Sequence, residues 1–89
     1  MAAIKISNHA REQMTERGIS EDMVLDIIAS PQQTIAEGDD KMIYQSIKYF
    51  EADKRNFLVR VFVNIIKQPN LVITVYRTSK IEKYWKDEN

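Results

Sequence analysis

The sequence lacks cysteine and holds a single histidine, His9. The absence of cysteine excludes a disulfide framework and a thiolate metal site, and one histidine is too few for a histidine-rich metal site. No apolar run approaches the roughly 18 residues that cross a membrane. The first residues also lack the long apolar core of a signal peptide. We therefore expect a cytoplasmic protein that uses no metal or other cofactor and does not contact a membrane.

An excess of charge of one sign is also lacking, because 13 basic and 13 acidic side chains give a formal net charge of zero. This balance produces no overall attraction to nucleic acid or to membranes, so any polyanion binding must arise from a local cluster of cations. The chain has 89 residues, of which 44% are apolar, and it can bury one core. We expect one domain over residues 1–89.

Helical periodicity is confined to the first third of the chain. A first helix is predicted from about His9 to Arg17, with Ser7 or Asn8 as its N-cap and Gly18 as a left-handed C-cap. A second helix is predicted in SEDMVLDIIASP, because the apolar residues of this segment follow helical spacing between a serine cap and a proline.

Beyond the second helix, apolar and polar residues alternate, which is typical of strands. Short polar connections separate the alternating segments and predict an antiparallel meander. The predicted strands cover residues 34–37, 42–51, 57–66 and 71–77. In the tail, Ser79 and Glu82 form a capping-box pattern, which predicts a short final helix. The expected fold class is α+β, with two N-terminal helices, a four-stranded antiparallel meander sheet and a short C-terminal helix.

The strand over residues 57–66 has one strongly apolar face, on which the helices are expected to pack. The members of this face are Phe57, Val59, Val61, Val63 and Ile65, joined by Ile73 and Val75 of the last strand. The opposite face then presents the polar side chains of Arg60, Asn64, Thr74 and Tyr76. If no bulge shifts the register of the second strand, Ser46 and Lys48 join them.

This free face has two interpretations. Every amphipathic sheet carries polar residues on its solvent side, so these groups can simply be solvated. Alternatively, Arg60 and Lys48 hold a phosphate while Tyr76 stacks on a base or moves a proton, because aromatic stacking beside positive charge is how proteins hold single-stranded nucleic acid.

The segment HAREQMTERGIS, the break at Pro31 and the ending VITVYRTSKIEKYW together resemble the family of domain of unknown function 4258 (DUF4258). Members of that family open on a helix of the form His-Ala-x-x-Arg-Met-x-x-Arg-Gly-Ile. The residues that agree with this pattern are His9, Ala10, Met14, Arg17, Gly18 and Ile19. Gln13 departs from it, since an arginine is usual at that position. The resemblance spans roughly residues 9–85.

The DUF4258 family looks like a relative of the barnase–EndoU–RelE group, whose members are often metal-independent ribonucleases and toxins of toxin–antitoxin pairs. The ending YRTSKIEKYW is also loosely similar to that of BrnT-type toxins, with Arg77 in the place of their arginine. The resemblance implies a RelE/BrnT-like fold, RNA as a partner and an antitoxin protein as another. A sheet with two open edges also allows a homodimer.

Metal-free RNA cleavage needs a base for the 2′-hydroxyl proton, a cation beside the phosphorane and an acid for the leaving 5′-oxygen. Histidine is the residue type best suited to both proton steps near neutral pH, and His9 is the only histidine in the sequence. We therefore predict His9, Arg60 and Tyr76 as catalytic residues. Guanidinium groups match phosphate oxygens, and a hydroxyl can bond them. The predicted substrate-binding residues are Arg17, Lys48, Thr74 and Arg77.

Each of these residues also has a purely structural interpretation. His9 can satisfy amides at the helix start, Arg17 can interact with the negative C-terminal end of its helix, and Arg77 can pair with a carboxylate. The leading hypothesis is a small cytoplasmic endoribonuclease toxin of the RelE/BrnT type. The rival is a non-catalytic protein-interaction module that keeps the fold, and both Gln13 and the zero net charge favour it.

Overall fold

The structure is a computed structural model that describes residues 3–87. It is an α+β fold, as predicted. The elements in chain order are β1 (Ile4–Ile6), α1 (Asn8–Arg17), α2 (Glu21–Ala29), β2 (Gln33–Glu37), β3 (Lys41–Phe50), β4 (Arg55–Asn64), β5 (Asn70–Thr78) and α3 (Ile81–Tyr84). No helix within residues 3–87 has both the length and the apolar character needed to span a bilayer.

The strands form one five-stranded sheet in the order β1-β5-β4-β3-β2. The three predicted antiparallel pairings, β2 with β3, β3 with β4 and β4 with β5, are present. The prediction of a purely antiparallel four-stranded sheet is wrong, because β1 adds a fifth strand that runs parallel to β5. A three-residue strand is too short to show an alternating pattern, so β1 was not predicted.

Side-chain caps define both N-terminal helices. The hydroxyl of Ser7 accepts a hydrogen bond from the amide of Ala10 at 3.1 Å, and that of Ser20 accepts one from Met23 at 3.1 Å. Each cap satisfies an amide that has no partner inside the helix. Gly18 ends α1 with φ at +65°, in the left-handed region that glycine adopts without strain.

The core lies between the two helices and one side of the sheet, which we call the first face. Its buried residues from the helices are Ala10, Met14, Val24 and Ile27, and those from β4 and β5 are Val59, Val61, Val63, Val72 and Val75. This packing removes the apolar stripe of each helix from water, which is the main favourable term in folding. The other side of the sheet is the second face.

A β-bulge changes the phase of β5. The pairing steps from Phe62 opposite Thr74 to Val63 opposite Val72, which leaves Ile73 as the extra residue. Val72 is fully buried in the core and Ile73 is half-buried. The prediction that Ile73 belongs to the core is therefore wrong, because Val72 takes that place and simple alternation cannot anticipate a bulge.

The tail differs from its predicted capping box. The final helix begins after Lys80, and no side chain caps it. It consists of one turn, and the chain continues in extended conformation at Trp85. This segment lies against the second face, where Tyr84 and Lys86 bond to side chains of β3 and β2.

Candidate functional site

A buried arginine lies at the middle of the second face. Strand alternation directs Arg60 of β4 away from the core that holds Val59 and Val61. Arg60 is only 8% exposed. Because a guanidinium stays charged at any physiological pH, burying it requires nearby groups that replace the lost water.

Hydrogen bonds from the neighbouring strands supply part of that replacement. Arg60 lies directly opposite Gln45 of β3 and Tyr76 of β5. Its Nε donates to Oε1 of Gln45 at 2.8 Å, and its Nη1 donates to the hydroxyl of Tyr76 at 2.7 Å. Both contacts follow from register, since residues that face each other across a sheet have adjacent side chains.

Aromatic rings also replace water around the guanidinium of Arg60. The guanidinium carbon of Arg60 lies 4.7 Å from the ring centroid of Tyr84, 5.4 Å from that of Phe62 and 5.8 Å from that of Tyr76. Each ring offers the negative face of its π-system to the cation. We call the five residues Arg60, Gln45, Phe62, Tyr76 and Tyr84 the Arg60 centre.

The Arg60 centre contains no carboxylate. Residues 3–87 form three ion pairs, Arg11–Glu21, Lys48–Asp26 and Arg77–Asp53, and Arg60 takes part in none of them. Nη2 of Arg60 forms no hydrogen bond to any group within residues 3–87. Because every fully buried polar side-chain atom in that range has a hydrogen-bond partner, Nη2 must be in contact with solvent. The hydroxyl of Tyr76 accepts from Arg60 and keeps its own proton for another acceptor. These two donors can bind an anionic oxygen.

Two glutamines extend the hydrogen-bond network to the C-terminal segment. Nε2 of Gln45 donates to Oε1 of Gln33 at 2.8 Å and to the carbonyl of Tyr84 at 3.1 Å. Gln33 in turn forms a reciprocal pair with the backbone of Lys86, donating to its carbonyl at 2.7 Å and accepting from its amide at 2.9 Å. The network therefore runs without interruption from Tyr76 to Lys86.

Three of the seven predicted site residues share this face. Arg60 and Tyr76 are in direct contact, and Thr74 precedes Tyr76 by two positions on the same side of β5, where it is half-buried. Arg60, Tyr76 and Thr74 therefore form a group that the alternating pattern alone was enough to predict.

His9 does not join this group. It is an exposed residue of α1, and α1 packs on the first face through Ala10 and Met14. The sheet therefore separates the imidazole from Arg60, and the predicted convergence of the two is wrong. Arg17, in the last turn of the same helix, also belongs to the first-face side, next to the negative end of the helix.

Lys48 is on the first face as well, which corrects its predicted position. Its Nζ bonds to a carboxylate oxygen of Asp26 in α2 at 2.9 Å. Ser46 is buried on the same side, where its hydroxyl accepts from the amide of Gln32. The turn after β3 sets the register so that Phe50 pairs with Arg55, and this pairing places the even-numbered residues of β3 under the helices.

Arg77 also points to the first face, opposite Val59. Its guanidinium carbon lies 4.4 Å from the ring centroids of both Phe50 and Phe57, and Nη1 bonds to Asp53 at 2.6 Å. The carboxylate pairing that the sequence left open for Arg77 is therefore present.

The glutamines and Tyr84 were missed as site residues. For the strand that holds Gln45, only Ser46 and Lys48 were predicted on the free face, whereas counting back from the short turn at residues 51–54 would have placed Gln45 opposite Arg60. No sequence signal links Gln33 or Tyr84 to the centre, because both contacts depend on where the tail docks. Within residues 3–87, no three His, Asp or Glu side chains come together in a way that could hold a metal ion.

Comparison with known proteins gives one match. A family model described as a domain of unknown function, DUF4258, matches residues 6–77. No curated protein and no solved structure shows a significant match to the chain. The matched range includes α1, the whole of β2 to β4, and Tyr76 of β5, and it ends before Tyr84.

Proposed function

The chain belongs to the DUF4258 family, and from the Arg60 centre we propose that it is a RelE/BrnT-like endoribonuclease that cleaves single-stranded RNA without a metal ion. In the same proposal it is a cytoplasmic toxin that an antitoxin protein holds inactive. The observation that carries the proposal is a buried guanidinium that has no carboxylate partner within residues 3–87 and that lies beside a tyrosine hydroxyl.

The chemistry of the Arg60 centre supports RNA as the ligand. A phosphodiester supplies the negative charge that the centre lacks, and its oxygens match the geometry of a guanidinium. The rings of Phe62, Tyr76 and Tyr84 form one aromatic cluster beside the guanidinium, and aromatic rings are the groups on which unpaired bases stack. Exposed lysines on the adjacent tail, Lys80, Lys83 and Lys86, add a local cluster of cations to a chain whose net charge is zero.

The proposed reaction uses the RNA 2′-hydroxyl as nucleophile. Its oxygen bonds to phosphorus while its proton passes to water, and the bond from phosphorus to the 5′-oxygen breaks. Tyr76 donates its proton to that leaving oxygen and is reprotonated by solvent. Arg60 stabilises the charge that develops on the phosphorane. The products are a 2′,3′-cyclic phosphate and a 5′-hydroxyl. His9 has no part in these steps, because it lies on the other side of the sheet.

The test is cleavage of single-stranded RNA in the presence of EDTA. Tyr76→Phe removes the proton donor, together with the hydrogen bond that its hydroxyl accepts from Arg60, and is expected to slow cleavage by about 100-fold, the lower end of the range for a general acid. Arg60→Lys keeps the charge but loses the fork, and we expect about tenfold weaker binding of an uncleavable 2′-deoxy oligonucleotide.

His9→Ala is the matched control, and its cleavage rate should equal that of the wild-type chain. Absence of cleavage by the wild-type chain would overturn the enzyme proposal. So would a rate that His9→Ala lowers as much as Tyr76→Phe does.

A non-catalytic protein-interaction module is the second candidate. The observation in its favour is the combination of zero net charge with an arginine that aromatic rings leave only 8% exposed. Proteins that grip RNA usually carry excess cations. A stable complex with a protein partner, together with no binding and no cleavage of RNA, would select this candidate.

A further inference from the structure

The segment over residues 81–86 crosses the second face directly above Arg60. The ring of Tyr84 lies against the guanidinium, and it also contacts Tyr76 edge to face with centroids 6.3 Å apart. Only one nitrogen of Arg60, Nη2, is free of partners within residues 3–87. A phosphate needs access to at least one edge of the guanidinium to bind it through two hydrogen bonds. In this arrangement, the ring of Tyr84 covers the guanidinium, and Arg60 as a whole is only 8% exposed, so little of it is open to a ligand.

The segment has little intrinsic stability. Its helix is a single turn of four residues, has no side-chain cap, and contains no buried residue. A helix this short is not stable on its own, because the hydrogen bonds of one turn do not offset the free energy needed to nucleate a helix. The segment therefore stays in place through its docking contacts, chiefly those of Gln33 with Lys86 and of Gln45 with Tyr84.

The same amide that holds the segment also holds the arginine. Oε1 of Gln45 accepts from Arg60, while its Nε2 donates to Gln33 and to the carbonyl of Tyr84. A ligand that draws Arg60 away from Gln45 therefore disturbs the contacts of the segment. Linkage makes the effect reciprocal. The factor by which the ligand favours release of the segment equals the factor by which release raises the affinity of the centre for the ligand.

From these contacts we infer that residues 81–86 are a lid that closes the Arg60 centre in the free protein and opens when RNA binds. The inference rests on the proposed function of the centre. It assigns Gln33 and Gln45 as positioning residues that hold the lid closed. The closed lid reduces the apparent affinity for RNA, because only the open fraction of molecules can bind.

The variant Lys86→Pro tests the lid without altering the sheet. Proline removes the amide that Gln33 accepts from, and Trp85 already has the extended conformation, with φ −73° and ψ 123°, that proline requires of the preceding residue. Lys86→Ala is the matched control, since it loses the same charge but keeps the amide. Trp85 is the only tryptophan of the chain and is 36% exposed, so its fluorescence reports on the lid.

Quenching of Trp85 by acrylamide measures the position of the lid. In the free protein we expect quenching to rise by about twofold in Lys86→Pro and to stay at the wild-type value in Lys86→Ala. Addition of an uncleavable 2′-deoxy oligonucleotide should raise quenching in the wild-type chain. Wild-type quenching equal to that of free tryptophan would show that no lid is docked and would overturn the inference.

Binding of the same oligonucleotide measures the effect on the centre. We expect Lys86→Pro to bind about tenfold more tightly than Lys86→Ala, which corresponds to removal of a lid closed in about nine of ten molecules. If Lys86→Pro and Lys86→Ala bind the oligonucleotide equally although quenching of Trp85 rises in Lys86→Pro, the lid inference is wrong and RNA binding still holds. No binding by any of the three chains would overturn RNA binding and, with it, the role of the lid.

Gln33→Met provides a second variant, because it removes both bonds to Lys86, along with the bond from Gln45, and keeps the volume of the side chain. Thr34→Ala, on the exposed side of the same strand, is its control. If the segment is a lid, Gln33→Met should show the same rise in Trp85 quenching and the same tighter binding of the oligonucleotide as Lys86→Pro. A loosened Trp85 with weaker RNA binding in both variants would instead make the segment part of the binding surface and would contradict the lid.

Discussion

Two arginines show how the same side chain takes different roles on the two faces. Arg60 and Arg77 both stack on aromatic rings, and both are largely shielded from water. Arg77 has the carboxylate of Asp53 as a counter-charge, whereas Arg60 has only neutral partners within residues 3–87. We therefore interpret Arg77 as a structural residue that closes the end of the core and Arg60 as the residue available to an anion.

Paired substitutions at Arg77 and Asp53 test this interpretation. Arg77→Ala removes the packing on Phe50 and Phe57 together with the ion pair, and we expect a loss of about 2 kcal/mol in the free energy of unfolding. Asp53→Ala removes the ion pair alone. Its side chain is 38% exposed, so that loss should stay below about 1 kcal/mol. Urea unfolding measures both, and equal losses would contradict a packing role.

At the scale of single residues, the sequence predicted the contacts that depend on alternation alone. Arg60, Thr74 and Tyr76 share a face because they lie on adjacent antiparallel strands. Lys48 was misplaced because its position depends on a register that a four-residue turn sets. No pattern could link Tyr84 to Arg60, since that contact forms only when the tail folds back over the sheet.

At the scale of elements, α1 protects an edge of the sheet. The short strand β1 pairs only with residues 70–72 of β5, so the amide of Val75 has no strand partner on that side. Oε1 of Gln13 accepts a hydrogen bond from this amide at 3.0 Å. Gln13 stands where the family pattern has arginine, and an arginine has no acceptor atom. The glutamine at position 13 therefore has a structural explanation that is independent of catalysis.

Substitution of Gln13 measures the value of this contact. Gln13→Leu leaves the amide of Val75 without a partner and should destabilise the fold by about 1–2 kcal/mol. Gln13→Glu keeps an acceptor at the same position and should cost less than half as much. Thermal unfolding gives the stabilities, and hydrogen exchange at the amide of Val75 should accelerate in the leucine variant alone. Unchanged exchange in Gln13→Leu would contradict the edge-protecting role.

The elements with strong local signals were predicted best. Serine caps and a left-handed glycine fix both N-terminal helices, and these residues act within one turn of where they stand. The parallel strand β1 and the bulge beside Phe62 were not predicted, because both depend on pairing with distant parts of the chain. The final helix is held by contacts with the second face, and so its predicted cap had no influence on where it begins.

At the scale of the whole molecule, the sheet divides the chain into two parts. The first face is covered by α1 and α2 and holds the buried core. The second face carries the Arg60 centre under the C-terminal lid. His9 is fixed to the first part by its helix, so no small movement can bring it to Arg60. In the proposed reaction, the side chains that act on RNA are therefore those of the second face, Arg60 and Tyr76.

The most direct test of this account is a map of the RNA contact surface by NMR, with a short uncleavable single-stranded oligonucleotide added to the labelled chain. We expect shifts at Nε–H of Arg60, at the side-chain amide of Gln45 and at the indole of Trp85, with His9 and α2 unchanged. Shifts centred on His9 and α1, with the Arg60 signals unmoved, would contradict it.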